Sequence, residues 1–215
     1  MRYKRSAIPP KTRRTRLHQG ATLLGLAVTI LMAPTSAAHD PVVKPKGAER
    51  RELTVPVPDF TLVDQNRMPV SFKGLRGKAV IVNFMYTSCP DICPLLTASV
   101  KAVQDNLTAK EQTQVRFLSI TTDPEIDTAP VLKGYAQRHS VDFSNWSFLT
   151  GTAETLKPVW RNFGVSVSRQ ARGLIDHTTL TTIVDPAGRM RFAYFGSFPN
   201  PDTMLRDLRT LESHN

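Results

Sequence analysis

Residues Ala79 to Met85 (AVIVNFM) form a nearly continuous apolar run, and five residues later a segment with a helical apolar period begins. A strand with one wet face alternates, so an unbroken run of this length marks a strand covered on both faces. From Asp91 to Leu107 the positions Ile92, Leu95, Leu96, Val100, Val103 and Leu107 recur close to every 3.6 residues. Pro94 falls in the first turn, where its missing N–H costs little. A second strand, Val115 to Ile120, follows. Strand, helix and strand in that order require a crossover, which predicts an α/β fold built on a mixed sheet with helices on both faces.

The other elements fit around this unit. Phe60–Val63 and Val70–Phe72 flank a polar turn and predict an N-terminal β-hairpin. Asp127-Thr128-Ala129-Pro130 opens a helix to about His139, with a capping side chain before an early proline. Trp146–Leu149 is a short strand, and Thr152–Phe163 a helix that Pro158 should kink or break. Leu180–Val184, the turn Asp185–Gly188 and Arg189–Tyr194 form a hairpin ahead of a closing helix, Pro201–Leu211. Ser166–Arg172 reads as a polar loop. Residues 39–52, rich in proline and charge, read as a linker, which places the domain at 53–215.

Charge is distributed unevenly. The formal net charge is +10, but residues 1–38 hold seven of the 28 basic residues and no acid, which leaves 21 against 18, or +3. A balance of +3 argues against a nucleic-acid partner, and Gly74–Gly77 lacks a phosphate-binding pattern. The basic stretch Met1–Gly20, the apolar run Ala21–Ala33 and the small residues Pro34–Ala38 follow the order of an export signal, cut before His39. Thirteen apolar residues reach only ~20 Å as a helix, short of a ~30 Å hydrocarbon core. Residues 1–38 are therefore expected to direct the chain to the periplasm, with an inner-membrane anchor at 21–33 as the alternative.

Export places Cys89 and Cys93, the only two cysteines, in an oxidising compartment. Both sit where the buried strand meets a helix N-terminus, whose free N–H groups favour thiolate over thiol, at Cys89 in particular. Spacing i to i+4 sets the sulfurs on one face. A structural disulfide closing a five-residue loop contributes only ~2 kcal/mol, a weak staple for a domain with its own core. Redox exchange and metal binding are favoured over it. Dithiol oxidoreductases of this type usually carry two residues between the cysteines; three stand here, which leaves room for an ion, and a third ligand would favour metal. His139 and His214 read as solvated residues, and His39 lies beside the expected cleavage point. His177 stands in Asp176-His177-Thr178-Thr179, just before a strand; by itself a lone histidine there reads as a surface or packing residue.

Pro58-Asp59-Phe60-Thr61-Leu62, Lys78–Met85, Tyr86-Thr87-Ser88-Cys89-Pro90-Asp91-Ile92-Cys93-Pro94, Thr121–Thr128 and Asp176-His177-Thr178-Thr179 occur in the order found in the Sco/SenC family. The chain resembles a member of that family from about Val55 to Leu211. The resemblance implies a thioredoxin-like fold and copper, as Cu(I) or Cu(II), held by Cys89, Cys93 and His177. It also implies a partner: the copper-site subunit of cytochrome c oxidase, or another periplasmic copper protein. Two thiolates and an imidazole suit that metal, sulfur favouring Cu(I) and imidazole either state. Thioredoxin-like reductases place a cis-proline before the strand that faces their cysteines; Thr178-Thr179 stand there instead.

Two roles follow for the cysteines. One is a metallochaperone. The other is a thiol–disulfide oxidoreductase with Cys89 attacking and Cys93 resolving. A thiol peroxidase fits poorly, since Tyr86 and Val82 replace the threonine and proline that peroxiredoxins carry before their nucleophile. Asp123 and Asp127 read as turn and capping residues, Asp91 as either a solvated carboxylate or one that tunes the cysteines, and Asp176 as a partner that orients His177.

Overall fold

The computed structural model describes residues 47–170 and 174–212. Ten strands and five helices follow in the order β1 (Glu49–Pro56), β2 (Thr61–Asp64), β3 (Pro69–Ser71), β4 (Ala79–Met85), α1 (Ile92–Asp105), α2 (Ala109–Gln114), β5 (Val115–Thr121), α3 (Ala129–Arg138), β6 (Trp146–Thr150), α4 (Ala153–Asn162), β7 (Val167–Arg169), β8 (Ile175–His177), β9 (Leu180–Val184), β10 (Arg189–Phe195) and α5 (Pro201–Glu212). Among the described residues eight strands make one mixed sheet in the order β1-β10-β9-β4-β5-β6-β2-β3, and β7 and β8 pair only with each other. β4 lies in the interior of the large sheet, parallel to β5 and antiparallel to β9, and all seven of its residues are buried.

The pleat of β4 divides the core. Ala79, Ile81 and Met85 face a cluster shared with Leu96, Val100 and Val103 of α1, Leu132 and Tyr135 of α3, and Met204 and Leu208 of α5. Val80, Val82 and Phe84 face the other way, onto Leu156, Val159 and Trp160 of α4 and onto Leu62 and Phe72. Alternate residues of one strand thus serve two layers, the physical content of an unbroken apolar run. The β9–β10 turn has Gly188 at φ +81°, where its N–H donates to the Asp185 carbonyl. The guanidinium of Arg76 packs where a Cβ would stand.

Three expectations need correction. The linker does not extend to residue 52: Glu49–Glu52 already belong to β1, which pairs antiparallel with β10. Arg50 donates from Nε and Nη2 to the buried Asp207 on α5, at 2.6 and 2.8 Å, so the strand is fastened to the domain as well as paired. Pro158 does not end α4; it lies on the exposed side with Glu154, whose carbonyl loses its intrahelical partner where water can replace it. Ser166–Arg172 is not simply a loop, because Val167–Arg169 pairs with Ile175–His177. Helix α2 was not anticipated. It opens on a capping box in which the Glu111 N–H donates to Thr108 Oγ1 and the Thr108 N–H to Glu111 Oε2. Arg209 of α5, donating to Glu111, holds that carboxyl down at about 2. The export segment expected at 1–38 and the anchor at 21–33 lie outside the described residues. Among the described residues no helix is long and apolar enough to cross a membrane.

Arg50→Ala leaves Asp207 buried beside the Tyr194 hydroxyl without its cation. With Arg50 about one-third exposed, the expected loss is roughly 2 kcal/mol. Urea unfolding measures it, and a midpoint unchanged from the parent contradicts the assignment of β1 to the domain.

Candidate functional site

β4 ends at Met85 under the N-terminus of α1, and residues 86–91 join them. The first amides of a helix have no intrahelical acceptor and usually take a capping side chain. Asp91 occupies the cap position, but its side chain accepts no capping bond. Instead the Cys93 N–H donates to Cys89 Sγ at 3.4 Å. The sulfur does the work of a cap.

This placement separates the two thiols. A hydrogen bond from the Cys93 thiol pulls Cys89 down to about 5; burial opposes it, and the backbone N–H groups of Cys93, Asp91 and Ile92 reinforce it. Cys93 moves the other way, because the bond to Cys89 and its own burial hold its proton in place. At neutral pH the pair therefore carries one proton and one negative charge, with Cys93 fully enclosed and Cys89 slightly exposed. Both thiols are free in the structure.

His177 ends β8. Its Nδ1 lies 3.0 Å from the Thr178 carbonyl oxygen, a contact that places the proton on Nδ1 and leaves the lone pair on Nε2. Burial pushes its pKa down, against the Thr178 carbonyl and the charges of Cys89 and Asp176, so the imidazole is neutral at pH 7. The ring meets Tyr86 edge-on, with centroids 5.8 Å apart and planes at 81°. Tyr86 is buried, and desolvation together with the Cys89 charge raises its hydroxyl to about 12. The phenol thus stands between the cysteine loop and the histidine hairpin. Among the described residues no three His, Cys, Asp or Glu side chains are gathered closely enough to hold a metal ion. The two sulfurs are together, and the imidazole is their neighbour across Tyr86.

Several carboxylates act otherwise than their sequence context suggests. Asp127 does not cap α3, whose cap residue is Thr128. Its buried carboxylate accepts from the Thr87 N–H and hydroxyl and from the Thr121 hydroxyl, and so fixes the loop that leads to Cys89. Burial raises its pKa. Asp123 is equally enclosed and accepts from Arg169 of β7. Asp176 is exposed, and the partner of His177 Nδ1 is the Thr178 carbonyl instead. His139 lies against Tyr135, with ring centroids 4.4 Å apart and planes tilted by 39°, and is half-buried where a solvated residue was expected. His39 and His214 lie outside the described residues. Three segments therefore meet here: the cysteine loop, the β5–α3 loop and the β7–β8 hairpin.

The family model for SCO1/SenC matches residues 48–213, three-quarters of the chain and every segment of this site. The chain belongs to the SCO1/SenC family. The SCO1 protein homolog of Bacillus subtilis is 31% identical over 162 residues, covering 74% of this chain and 83% of that protein. The structure of BsSco, a member of the Sco family of cytochrome c oxidase assembly proteins with a disulfide switch, superposes with a TM-score of 0.66 at 28% identity, covering 77% of this chain and 98% of that one. Bradyrhizobium japonicum ScoI, solved with copper bound, gives 0.59 at 28% identity, covering 73% of this SCO1/SenC chain and 99% of that one. The fold is thioredoxin-like, as the resemblance implied.

Alkylation of the reduced, metal-free protein tests the asymmetry of the thiols. Iodoacetamide should modify Cys89 with a half-maximal rate near pH 5 and leave Cys93 unmodified until the protein unfolds. Equal labelling of both, or a midpoint above pH 8, contradicts the arrangement.

Proposed function

We propose that this chain is a copper-binding assembly factor that holds copper through Cys89, Cys93 and His177 and delivers it to the copper-site subunit of cytochrome c oxidase or to another periplasmic copper protein. One observation carries the reading: two sulfurs meet at a helix N-terminus, where the Cys93 N–H donates to Cys89 Sγ, beside an imidazole whose Nδ1 is taken by the Thr178 carbonyl. The copper-bound relative and the assembly role of BsSco support the choice of cargo and acceptor. Soft thiolates favour Cu(I), imidazole accepts either state, and the complex carries −1 with Cu(I) and none with Cu(II). A three-ligand site leaves a position open to an incoming thiol or imidazole, so the ion passes by ligand exchange. In this reading residues 1–38 export the chain, or 21–33 anchor it.

Proton counting gives a direct consequence. At neutral pH Cys89 is already ionised and His177 neutral, so loading copper expels one proton, from Cys93. As pH falls His177 takes up a proton, and below about pH 5 Cys89 does as well, so the count rises. Affinity therefore falls as pH drops, more steeply below that point. Cu(I) competition across this range measures the slope. Cys89→Ser and Cys93→Ser should abolish tight binding, and His177→Ala should weaken it by more than about tenfold and alter the Cu(II) spectrum. If His177→Ala changes neither, the third ligand is wrong.

The inequality of the two sulfurs also favours a second reading, a thiol–disulfide oxidoreductase. Cys89 is ionised and the less enclosed of the two, as suits an attacking thiolate, and Cys93 is protonated and fully enclosed, as suits a resolving thiol. Rapid turnover of disulfide substrates by metal-free protein, unaffected by His177→Ala, would place this reading first.

A further inference from the structure

Among the described residues, the hairpin that carries His177 has no ladder to the main sheet. Its two strands are locked to each other, with Val167 opposite His177 and Arg169 opposite Ile175, so whatever fixes Arg169 also fixes the position of His177. Ile175 sits in the core. At the same rung, Arg169 Nη2 donates to Asp123 Oδ1 at 2.5 Å and lies 3.0 Å from Glu125 Oε2. The two acids are unequal: the Asp123 side chain is 1% exposed and that of Glu125 76%. The second oxygen of Asp123, Oδ2, is buried with no hydrogen-bond partner among the described residues. Arg169 is thus the cation that makes a buried carboxylate tolerable, and that carboxylate cannot turn to water unless the segment opens.

Asp123 belongs to the same short loop as Asp127, whose carboxylate grips Thr87 beside the cysteines. One loop therefore holds both halves of the site. We propose that Asp123 and Arg169 form a latch that keeps the β7–β8 hairpin closed on the cysteine loop, so that the state of this ion pair sets how long His177 stays with the sulfurs and how fast copper leaves. Arg169 is a positioning residue; it touches neither sulfur nor imidazole. Glu125 gives it a second, solvated acceptor when the hairpin lifts, which makes opening reversible. The inference rests on the proposed ligand role of His177 for its effect on copper, but not for its effect on the hairpin.

Arg169→Ala, Arg169→Lys and His177→Ala separate the two. In metal-free protein, hydrogen exchange of peptides covering 166–170 and 174–178 should speed up about tenfold in Arg169→Ala, with peptides of β4 and α1 unchanged and Arg169→Lys largely restored. Loaded with Cu(I), Arg169→Ala should release the metal to a chelator about tenfold faster than the parent, again with recovery in Arg169→Lys. Unchanged exchange in Arg169→Ala overturns the latch whatever copper does. Faster exchange with unchanged release also overturns the proposal, and His177→Ala then locates the failure. If that variant speeds release, the latch is at fault; if it too leaves release unchanged, the ligand reading is at fault.

Discussion

A helix that starts where a buried strand ends must find acceptors for its first amides, and in this protein a sulfur atom supplies one. The Cys93 N–H on Cys89 Sγ couples backbone geometry to chemistry. Because that sulfur accepts hydrogen bonds, its negative form is stabilised; because its partner thiol donates one, the neighbouring thiol keeps its proton. The bond exists because β4 is walled in on both faces and delivers the chain to the mouth of α1 with little freedom. Both the copper reading and the thiol-exchange reading draw on it.

Around that point the fold uses charge sparingly and encloses it. Asp127 grips Thr87 and Thr121, and Asp123 grips Arg169, so two carboxylates on one loop brace opposite sides of the site. Burying a carboxylate is costly unless donors meet it, and the donors here lie on the segments that must be held. Tyr86 completes the arrangement. It remains a neutral phenol between Cys89 and His177, and its ring meets the imidazole edge-on. The imidazole, proton pinned on Nδ1 by a backbone carbonyl, has one nitrogen left to offer.

Much of this is written in the sequence in physically readable form, and the gaps have physical causes. β4 and α1 are legible because burial on two faces and on one face leave different periods. β1 is not, because an edge strand exposed along most of its length keeps the charges and prolines of a linker. The β7–β8 pair is three residues a side and largely polar, too short for alternation to speak. α2 left a signal that went unread, the Thr108-to-Glu111 spacing of a capping box. Asp127 misleads because a carboxylate before an early proline is a common helix opening, and only the fold reveals the two threonines waiting for it. His177 could not be distinguished from a surface histidine by its neighbours; the family resemblance singled it out, and the fold sets it across one aromatic ring from the cysteines.

In the proposed copper-loaded state two sulfurs and one imidazole distant in sequence close on a single soft ion. Copper-edge X-ray absorption of the protein loaded with one equivalent of Cu(I) reads that shell. Two sulfur scatterers and one imidazole nitrogen are expected in the parent, with the imidazole signal lost in His177→Ala. A sulfur-only shell in the parent, or an imidazole signal that persists in that variant, would contradict it.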